Sequence, residues 1–312
     1  MKTESFLPIP LKTILESDIN RFSLHRDLSD YPSAEFLGSI ERFGLFHPPV
    51  VMKAQGTLQL LCGRKRILAL QKNGRKVPVV CRVLESDDSA TILMTILEDQ
   101  RLAGPLSAIM TARFLRLVES YIPADSRNRF IAQSNIGSYG QLKRRLPLLK
   151  LDLAIREAIH SGAISDKTGL ELATFKRADQ LFLCDLFLAL SLNKNKQRRL
   201  LDMCHILLAR RGGTIEEMFR QDFHDFLPAN ITTNKPQSAG NLIKQLYEAS
   251  YPMSTKAENE FVDRRKHLRL PARCYLSHSQ SFEKDSVTLS IEFDNFDELE
   301  RIWSNLKVFL NN

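Results

Sequence analysis

Three consecutive cations, Arg64, Lys65 and Arg66, follow a glycine at position 63. The apolar run before Gly63 predicts a strand, and the apolar periodicity after it predicts a helix that begins at the cations. The N–H groups at a helix start and neighbouring guanidinium groups both attract anions, phosphate above all. A solvated basic turn would show the same pattern, so on its own this stretch is only a weak indication of a phosphate site.

A second group of polar and basic side chains lies in residues 125–146, where the pattern predicts a short helix, a glycine-containing turn and a second helix. Such a helix-turn-helix places its second helix in the major groove of DNA, where side chains contact bases and cations contact phosphates. We predict base contacts from Ser138, Tyr139, Gln141 and Arg144. We predict phosphate contacts from Arg127, Arg129, Lys143 and Arg145. From charge alone, a solvated basic helix face is the simpler interpretation.

The composition is consistent with a protein that binds a polyanion. The chain has 312 residues, which suggests two or three domains, and 43% of them are apolar, enough to form hydrophobic cores. Lys and Arg outnumber Asp and Glu by 44 to 36, and the formal net charge of +8 favours a partner such as nucleic acid. An ordinary basic cytosolic protein is the alternative interpretation.

The five cysteines are scattered without a CxxC pair, which argues against a disulfide framework or a structural zinc site and favours a reducing compartment. The sequence has no apolar run typical of a signal peptide and no stretch long enough for a membrane span. We therefore expect a cytoplasmic protein with no membrane partner.

Residues 1–104 predict a small α/β domain that contains the cationic bend. A helix over residues 33–43 precedes a strand, a hairpin turn at Gln55 and Gly56, and a second strand over residues 57–61. After the helix that follows Gly63, residues 77–84 predict another strand. Residues 89–97 predict a helix capped by Ser86 or Asp87.

The rest of the chain predicts an all-helical domain over residues 105–227, a linker with one helix over residues 228–270, and a C-terminal module over residues 271–312. The first helix of the helical domain begins at Pro105 and carries Arg113 and Arg116 on its polar side. The C-terminal module has two strands and a helix, too few elements to bury their apolar residues alone, so we predict a homodimer. The fold class is α+β and multidomain.

Three stretches of the first domain resemble the N-terminal domain of the ParB family of DNA partition proteins. Residues 44–51 resemble its "G-[VL]-x-Q-P" box, residues 63–66 its "G-E-R-R" turn, and residues 77–79 its "V-P-[VA]" strand. His47 stands in place of the family's Gln, while Arg64 and Lys65 depart from the "E-R" of the turn. The resemblance implies a ParB/sulfiredoxin-like fold for residues 1–104.

In that family the fold binds CTP with magnesium, and a second box that begins with Glu-Asn and ends with Arg adds metal and phosphate contacts. Residues 98–101 approximate this box, with Asp99 where Asn is expected and with a shorter spacing. The resemblance implies nucleotide contacts from Gly63, Arg64, Lys65, Arg66, Glu98 and Arg101, and a magnesium contact from Glu98. Sulfiredoxin shares the fold but has its catalytic Cys after the glycines, whereas Cys62 precedes Gly63 and is interpreted as a buried structural residue.

Two later stretches also resemble the family. Residues 148–165 resemble the segment after its helix-turn-helix, and Leu-Glu-Arg-Ile at 299–302 resembles the last helix of its dimerisation module. The resemblance implies a dimeric, nucleoid-associated partition protein that binds double-stranded DNA, forms a CTP-dependent clamp and has a ParA-like ATPase as partner. A transcription regulator that has lost the nucleotide switch is the alternative. CTP hydrolysis, the DNA site and the cargo, whether chromosome, plasmid or phage, stay open.

Overall fold

The computed structural model describes residues 5–29, 31–54, 57–231, 234–279 and 286–310. The strands are β1 (Ser5–Ile9), β2 (Val50–Ala54), β3 (Thr57–Cys62), β4 (Val79–Leu84), β5 (Cys274–His278) and β6 (Val287–Ile291). The mixture of helices and sheets confirms the α+β class. The predicted hairpin turn at Gln55 and Gly56, and residues 280–285 of the loop before β6, lie outside the described residues.

The helices of the first half are α1 (Leu11–Glu16), α2 (Ala34–Phe43), α3 (Arg64–Lys72), α4 (Ser89–Ala103), α5 (Ala108–Tyr121), α6 (Arg127–Ser134), α7 (Tyr139–Lys143) and α8 (Leu153–His160). Those of the second half are α9 (Asp166–Leu172), α10 (Arg177–Ala189), α11 (Lys194–Arg211), α12 (Ile215–Asp222), α13 (Lys235–Ser250), α14 (Pro252–His267) and α15 (Phe296–Leu310). Short 3₁₀ helices occupy Leu146–Lys150, His224–Phe226 and Pro228–Asn230.

The N-terminal sheet has the strand order β1-β4-β2-β3, with β4 and β2 parallel and the outer pairs antiparallel. Because side chains alternate between the faces of a strand, the sheet contributes to two cores. Val51 and Leu60 face the core formed with α1, α2 and α3. Val50 and Leu61 belong to the other core, which includes buried residues of α4 and α5.

Helix α5 joins the N-terminal sheet to the helical region. Met110 and Phe114 pack in the core beneath the sheet, whereas Ile109 and Ala112 pack in the core of the helical region. The apolar packing is therefore continuous across the predicted boundary between residues 104 and 105. Helix α13 buries Leu242 and Leu246 in the same helical core, so this core reaches beyond the predicted limit at residue 227.

The prediction that Arg113 lies on a polar face of α5 is wrong, because its side chain is only 7% exposed while Arg116 is exposed. The Arg113 guanidinium donates to the backbone carbonyl of Arg21 at 3.0 Å and to that of Ser23 at 3.5 Å. Phe22 and Leu24, which alternate with these residues, are buried beneath the sheet. Arg113 thereby fixes the segment of residues 21–24 against α5.

The C-terminal elements lie apart from these cores. In α14 no described residue is buried, and β5 and β6 form a two-stranded antiparallel sheet. His278 Nε2 lies 2.9 Å from a carboxylate oxygen of Glu258, which connects β5 to α14. The hairpin and α15 expose large apolar side chains, namely Tyr275, Val287, Leu289, Phe296 and Trp303. Homodimerisation through this module stays a prediction.

Across the described ranges, no helix has both the length and the apolar character that a membrane crossing requires.

We expect Arg113→Met to lower the free energy of unfolding by about 3 kcal/mol, because two buried carbonyls lose a charged donor. Urea denaturation of the whole chain measures this change. Arg116→Met removes the same charge from an exposed position of α5 and should cost less than about 0.5 kcal/mol. Equal effects of the two substitutions would contradict the assigned role of Arg113.

Candidate phosphate-binding and nucleic-acid-binding sites

The predicted strand, turn and helix around Gly63 are confirmed. Gly63 follows β3, adopts φ 94° and ψ 21°, and caps the N-terminus of α3 at Arg64. A Cβ atom built on Gly63 would lie 3.1 Å from the Pro49 backbone and 3.2 Å from Nε of Arg66. The bend therefore requires glycine for its left-handed conformation and for the close approach of Pro49.

A concave pocket of about 220 Å³ lies beside this bend. Its rim includes Arg64, Lys65 and Arg66 from the first turn of α3, and its far wall is formed by α4. Residues 22–25 form a third wall of the pocket, and hydrogen bonds from Arg113 to the Arg21 and Ser23 carbonyls hold this segment in place. The pocket thus combines a cationic rim, a helix N-terminus and apolar walls.

Each of the three cations has a defined position. The Arg66 guanidinium donates to the carbonyls of His47 and Pro48 at 3.0 and 3.1 Å. Its other amino group pairs with the Asp99 carboxylate, 3.3 Å away. The Arg64 Nε donates to Oδ1 of Asn20 at 2.6 Å, and Nζ of Lys65 lies 5.8 Å from the centre of the Phe36 ring. Protein contacts therefore hold all three cations at the pocket.

Glu98 and Arg101 were predicted beside these cations, but the structure places neither of them among the residues that line the pocket. Asp99 lines the pocket, whereas Glu98 lines a neighbouring cleft that also includes Asp99 and, from α6, Phe130 and Gln133. Arg101 pairs with Glu98 at 2.5 Å and donates to the Ser134 carbonyl. Asp99 is not among the predicted site residues. The feature of the sequence that indicates it is an acidic side chain at the position where the family has Asn.

Within the described residues, no cluster of three or more His, Cys, Asp or Glu side chains has an arrangement that could hold a metal ion. Magnesium in nucleotide sites commonly uses one or two carboxylates together with phosphate oxygens. Asp99 is the acidic residue that lines the pocket, so it fits this minimal role, and Glu98 does not reach the same place.

Cys62 is buried, as predicted, with a side chain 6% exposed. Burial is the main cause that raises the pKa of its thiol, and the Asp99 carboxylate raises it further. A thiol with a raised pKa is protonated at neutral pH and is a poor nucleophile. The residue therefore lacks the property that thiol catalysis requires.

The two predicted helices of the second site are α6 and α7, joined by a turn in which Asn135 and Gly137 have φ of 57° and 121°. Ser138 caps α7 in a capping box: its hydroxyl accepts from the Gln141 N–H, and its own N–H donates to the side-chain oxygen of Gln141. Helix α7 has five residues and is shorter than the predicted basic helix, because a 3₁₀ helix with Pro147 follows at residue 146.

The predicted DNA contacts fall into two groups. The first group is exposed and consists of Arg129, Ser138, Gln141, Lys143 and Arg144. The others have partners within the protein: Arg127 donates to the carbonyls of Ile122 and Glu119, Tyr139 bonds Glu119 at 2.8 Å, and Arg145 pairs with Asp166 at 3.1 Å. The hydrogen bond to Glu119 raises the pKa of Tyr139.

We expect Gly63→Ala to destabilise the chain by about 2–3 kcal/mol, since the new methyl group meets the Pro49 backbone in an unfavourable left-handed conformation. Gly74→Ala is the matched control, because Gly74 also has positive φ but no atom within 4 Å of the added Cβ. It should cost about 1 kcal/mol. Urea denaturation compares the two, and equal costs would show that the approach of Pro49 is unimportant.

No family model matches the chain. Three curated relatives match in sequence. A probable chromosome-partitioning protein ParB from Campylobacter jejuni is 24% identical over 56% of this chain, and a nucleoid occlusion protein from Halalkalibacterium halodurans is 23% identical over 56%. A probable chromosome-partitioning protein ParB from Chlamydia trachomatis is 30% identical over 50%. The matches span 61%, 59% and 51% of the relatives' own lengths.

Two crystal structures of truncated ParB from Caulobacter crescentus are also similar. The one complexed with CTP-gamma-S is 21% identical and aligns over 59% of this chain and 99% of its own, with a TM-score of 0.24. The one complexed to the centromeric parS site is 22% identical and aligns over 56% and 92%, with a TM-score of 0.32. Scores this low do not establish a shared arrangement of domains.

The similarity to a family therefore rests on sequence. Two of the three curated relatives carry the same name, and all three match half of this chain or slightly more. Their agreement confirms the resemblance that the boxes at residues 44–51 and 63–66 indicated. The chain is similar in sequence to proteins of the ParB family over about half of its length.

Proposed function

We propose that this protein is a nucleotide-regulated DNA-binding protein that acts in chromosome or plasmid partition. In this proposal CTP binds at the Gly63 bend, and duplex DNA binds at α6 and α7. The observation that carries the proposal is the pocket beside Gly63, where three cations and a helix N-terminus surround one concave space. The names of the sequence relatives, chromosome-partitioning and nucleoid occlusion proteins, support this class of function.

The phosphates of the nucleotide would bind at the start of α3. The first N–H groups of a helix have no partner within the helix and carry a partial positive charge. Gly63 forms the bend that brings this end of α3 to the pocket, and Arg64, Lys65 and Arg66 add positive charge at the rim. The apolar residues Phe22, Leu24 and Ile96 provide walls for a less polar part of the ligand.

The choice of CTP rests on the family resemblance and on the relative that was crystallised with a CTP analogue. Magnesium would arrive with the triphosphate, whose oxygens would supply most of its ligands, and Asp99 would add one carboxylate. Because Asp99 already pairs with Arg66, a bound nucleotide would exchange that ion pair for phosphate and metal contacts.

DNA would bind through the exposed side of α6 and α7. Arg129, Lys143 and Arg144 are exposed cations that suit phosphate or base contacts, whereas Arg127 and Arg145 stabilise the unit through their intramolecular partners. A relative that was crystallised with its centromeric site supports the choice of partner. The net charge of +8 favours the encounter with DNA at low ionic strength.

Two further partners belong to the proposal. A second copy of the chain would cover the apolar side chains of β6 and α15, because Leu289 and Trp303 are each 50% exposed in a single chain. A ParA-like ATPase is the expected motor protein, on family resemblance alone.

A specific observation favours the alternative, a DNA-binding regulator without a nucleotide switch. Arg66 already bonds two carbonyls and one carboxylate, which could make the bend a purely structural element. The two functions differ in whether the protein binds CTP at all, so nucleotide binding separates them.

We expect the whole chain to bind Mg-CTP, and Arg66→Ala to weaken that binding by at least tenfold, since a phosphate loses a charge-assisted hydrogen bond. Calorimetric titration measures the affinity. Arg75→Ala, which removes an exposed cation outside this pocket, should bind as the unchanged protein does. Binding to random-sequence duplex DNA in the absence of CTP should persist in both variants.

If the unchanged protein binds DNA but no nucleotide, the regulator without a switch is the correct function. If Arg66→Ala binds CTP normally while remaining folded, the nucleotide site lies elsewhere.

A further inference from the structure

Arg101 connects α4 to the end of α6. Its Nη2 donates to the backbone carbonyl of Ser134 at 2.5 Å, and its Nη1 pairs with Glu98, one turn earlier on α4, at 2.5 Å. Ser134 is the last residue of α6 and is fully buried. The last carbonyls of a helix have no intrahelical donor and carry partial negative charge, so a cation is a favourable partner there.

The Ser134 carbonyl stands at the start of the turn that leads to the proposed DNA-contacting helix. Asn135 and Gly137 follow with positive φ, and Ser138 then begins α7 with its capping box. The hydroxyl of Ser134 is already bonded to the Ile131 carbonyl at 2.7 Å. The hydrogen bond from Arg101 thus comes from α4, outside α6 and α7, and it restrains Ser134, the residue at which the turn begins.

The other side of α4 forms the pocket wall. Ile96, Asp99 and Gln100 line the pocket beside Gly63, and Asp99 pairs with Arg66. Arg101 lies two residues after Asp99, so the pocket wall and the anchor of the turn occupy one turn of the same rigid helix. A ligand that separates Asp99 from Arg66 would act on the helix that holds Ser134.

We propose that Arg101 is a positioning residue, which holds from α4 the start of the turn that leads to α7 and so sets the proposed DNA-contacting surface. This inference rests on the proposed function, because it concerns the surface to which DNA would bind. It assigns Arg101 to the turn after α6 and not to the nucleotide.

The experiment uses the whole chain with Arg101→Ala, Arg101→Lys and the matched charge control Arg75→Ala. Hydrogen exchange of the backbone amides of residues 135–139, measured without any ligand, should become about tenfold faster in Arg101→Ala, as expected for the loss of one charged hydrogen bond. Arg101→Lys should restore part of the protection, and Arg75→Ala should show none of the change.

The second readout is binding. Arg101→Ala should bind random-sequence duplex DNA about tenfold more weakly than Arg75→Ala at the same salt concentration, and should bind Mg-CTP within about twofold of the unchanged protein. Unchanged exchange and unchanged DNA affinity would overturn the positioning role, and so would the loss of CTP binding, which would make Arg101 a nucleotide ligand.

The hydrogen-exchange measurement is made without ligand and does not depend on CTP. If the unchanged protein binds no CTP, the proposed nucleotide function fails, while the exchange at residues 135–139 still decides whether Arg101 holds the turn.

Discussion

The contacts of one guanidinium group, that of Arg66, connect the elements on which the proposed site depends. Its bonds to the His47 and Pro48 carbonyls fix the segment that enters β2, and its pair with Asp99 fixes α4. Gly63 allows this because its missing side chain lets the Pro49 backbone come close to the start of α3. The charge that would attract a phosphate is therefore also the charge that assembles the pocket, so a ligand must compete with Asp99 for it.

The helical region takes part in the pocket as well. The Arg113 guanidinium of α5 donates to the backbone carbonyls of Arg21 and Ser23. The neighbouring Phe22 and Leu24 line the pocket and also belong to the core beneath the sheet. On the opposite wall, α4 reaches the end of α6 through Arg101. The proposed nucleotide site and the proposed DNA surface are thus parts of one continuous packing arrangement. A change in the position of α4 would be enough for a ligand at either site to affect the other, and no separate hinge is required.

Local signals in the sequence predicted the local structure well. The helical periodicity over residues 33–43 predicts α2, and the glycine before three cations predicts the start of α3. The helix over residues 89–103 was predicted too short and its cap was placed one or two residues early, since Asp88 is the capping residue.

Side-chain partners were predicted less well. The family resemblance groups Glu98 and Arg101 with the cations, but of residues 98, 99 and 101 it is Asp99 that lines the pocket. Arg113 is predicted on the polar side of α5, but it is buried together with its neighbours Ala112, Phe114 and Leu115. Its partners lie some ninety residues away, where no periodicity can indicate them.

The central claim is that a nucleotide binds at the Gly63 bend and acts through α4. Hydrogen exchange of the whole chain with and without Mg-CTP tests it most directly. We expect protection at residues 22–25 and 63–67, together with a change in exchange at residues 134–139, where no nucleotide contact is proposed. Protection confined to other parts of the chain, or no change at any amide at saturating CTP, would contradict the claim.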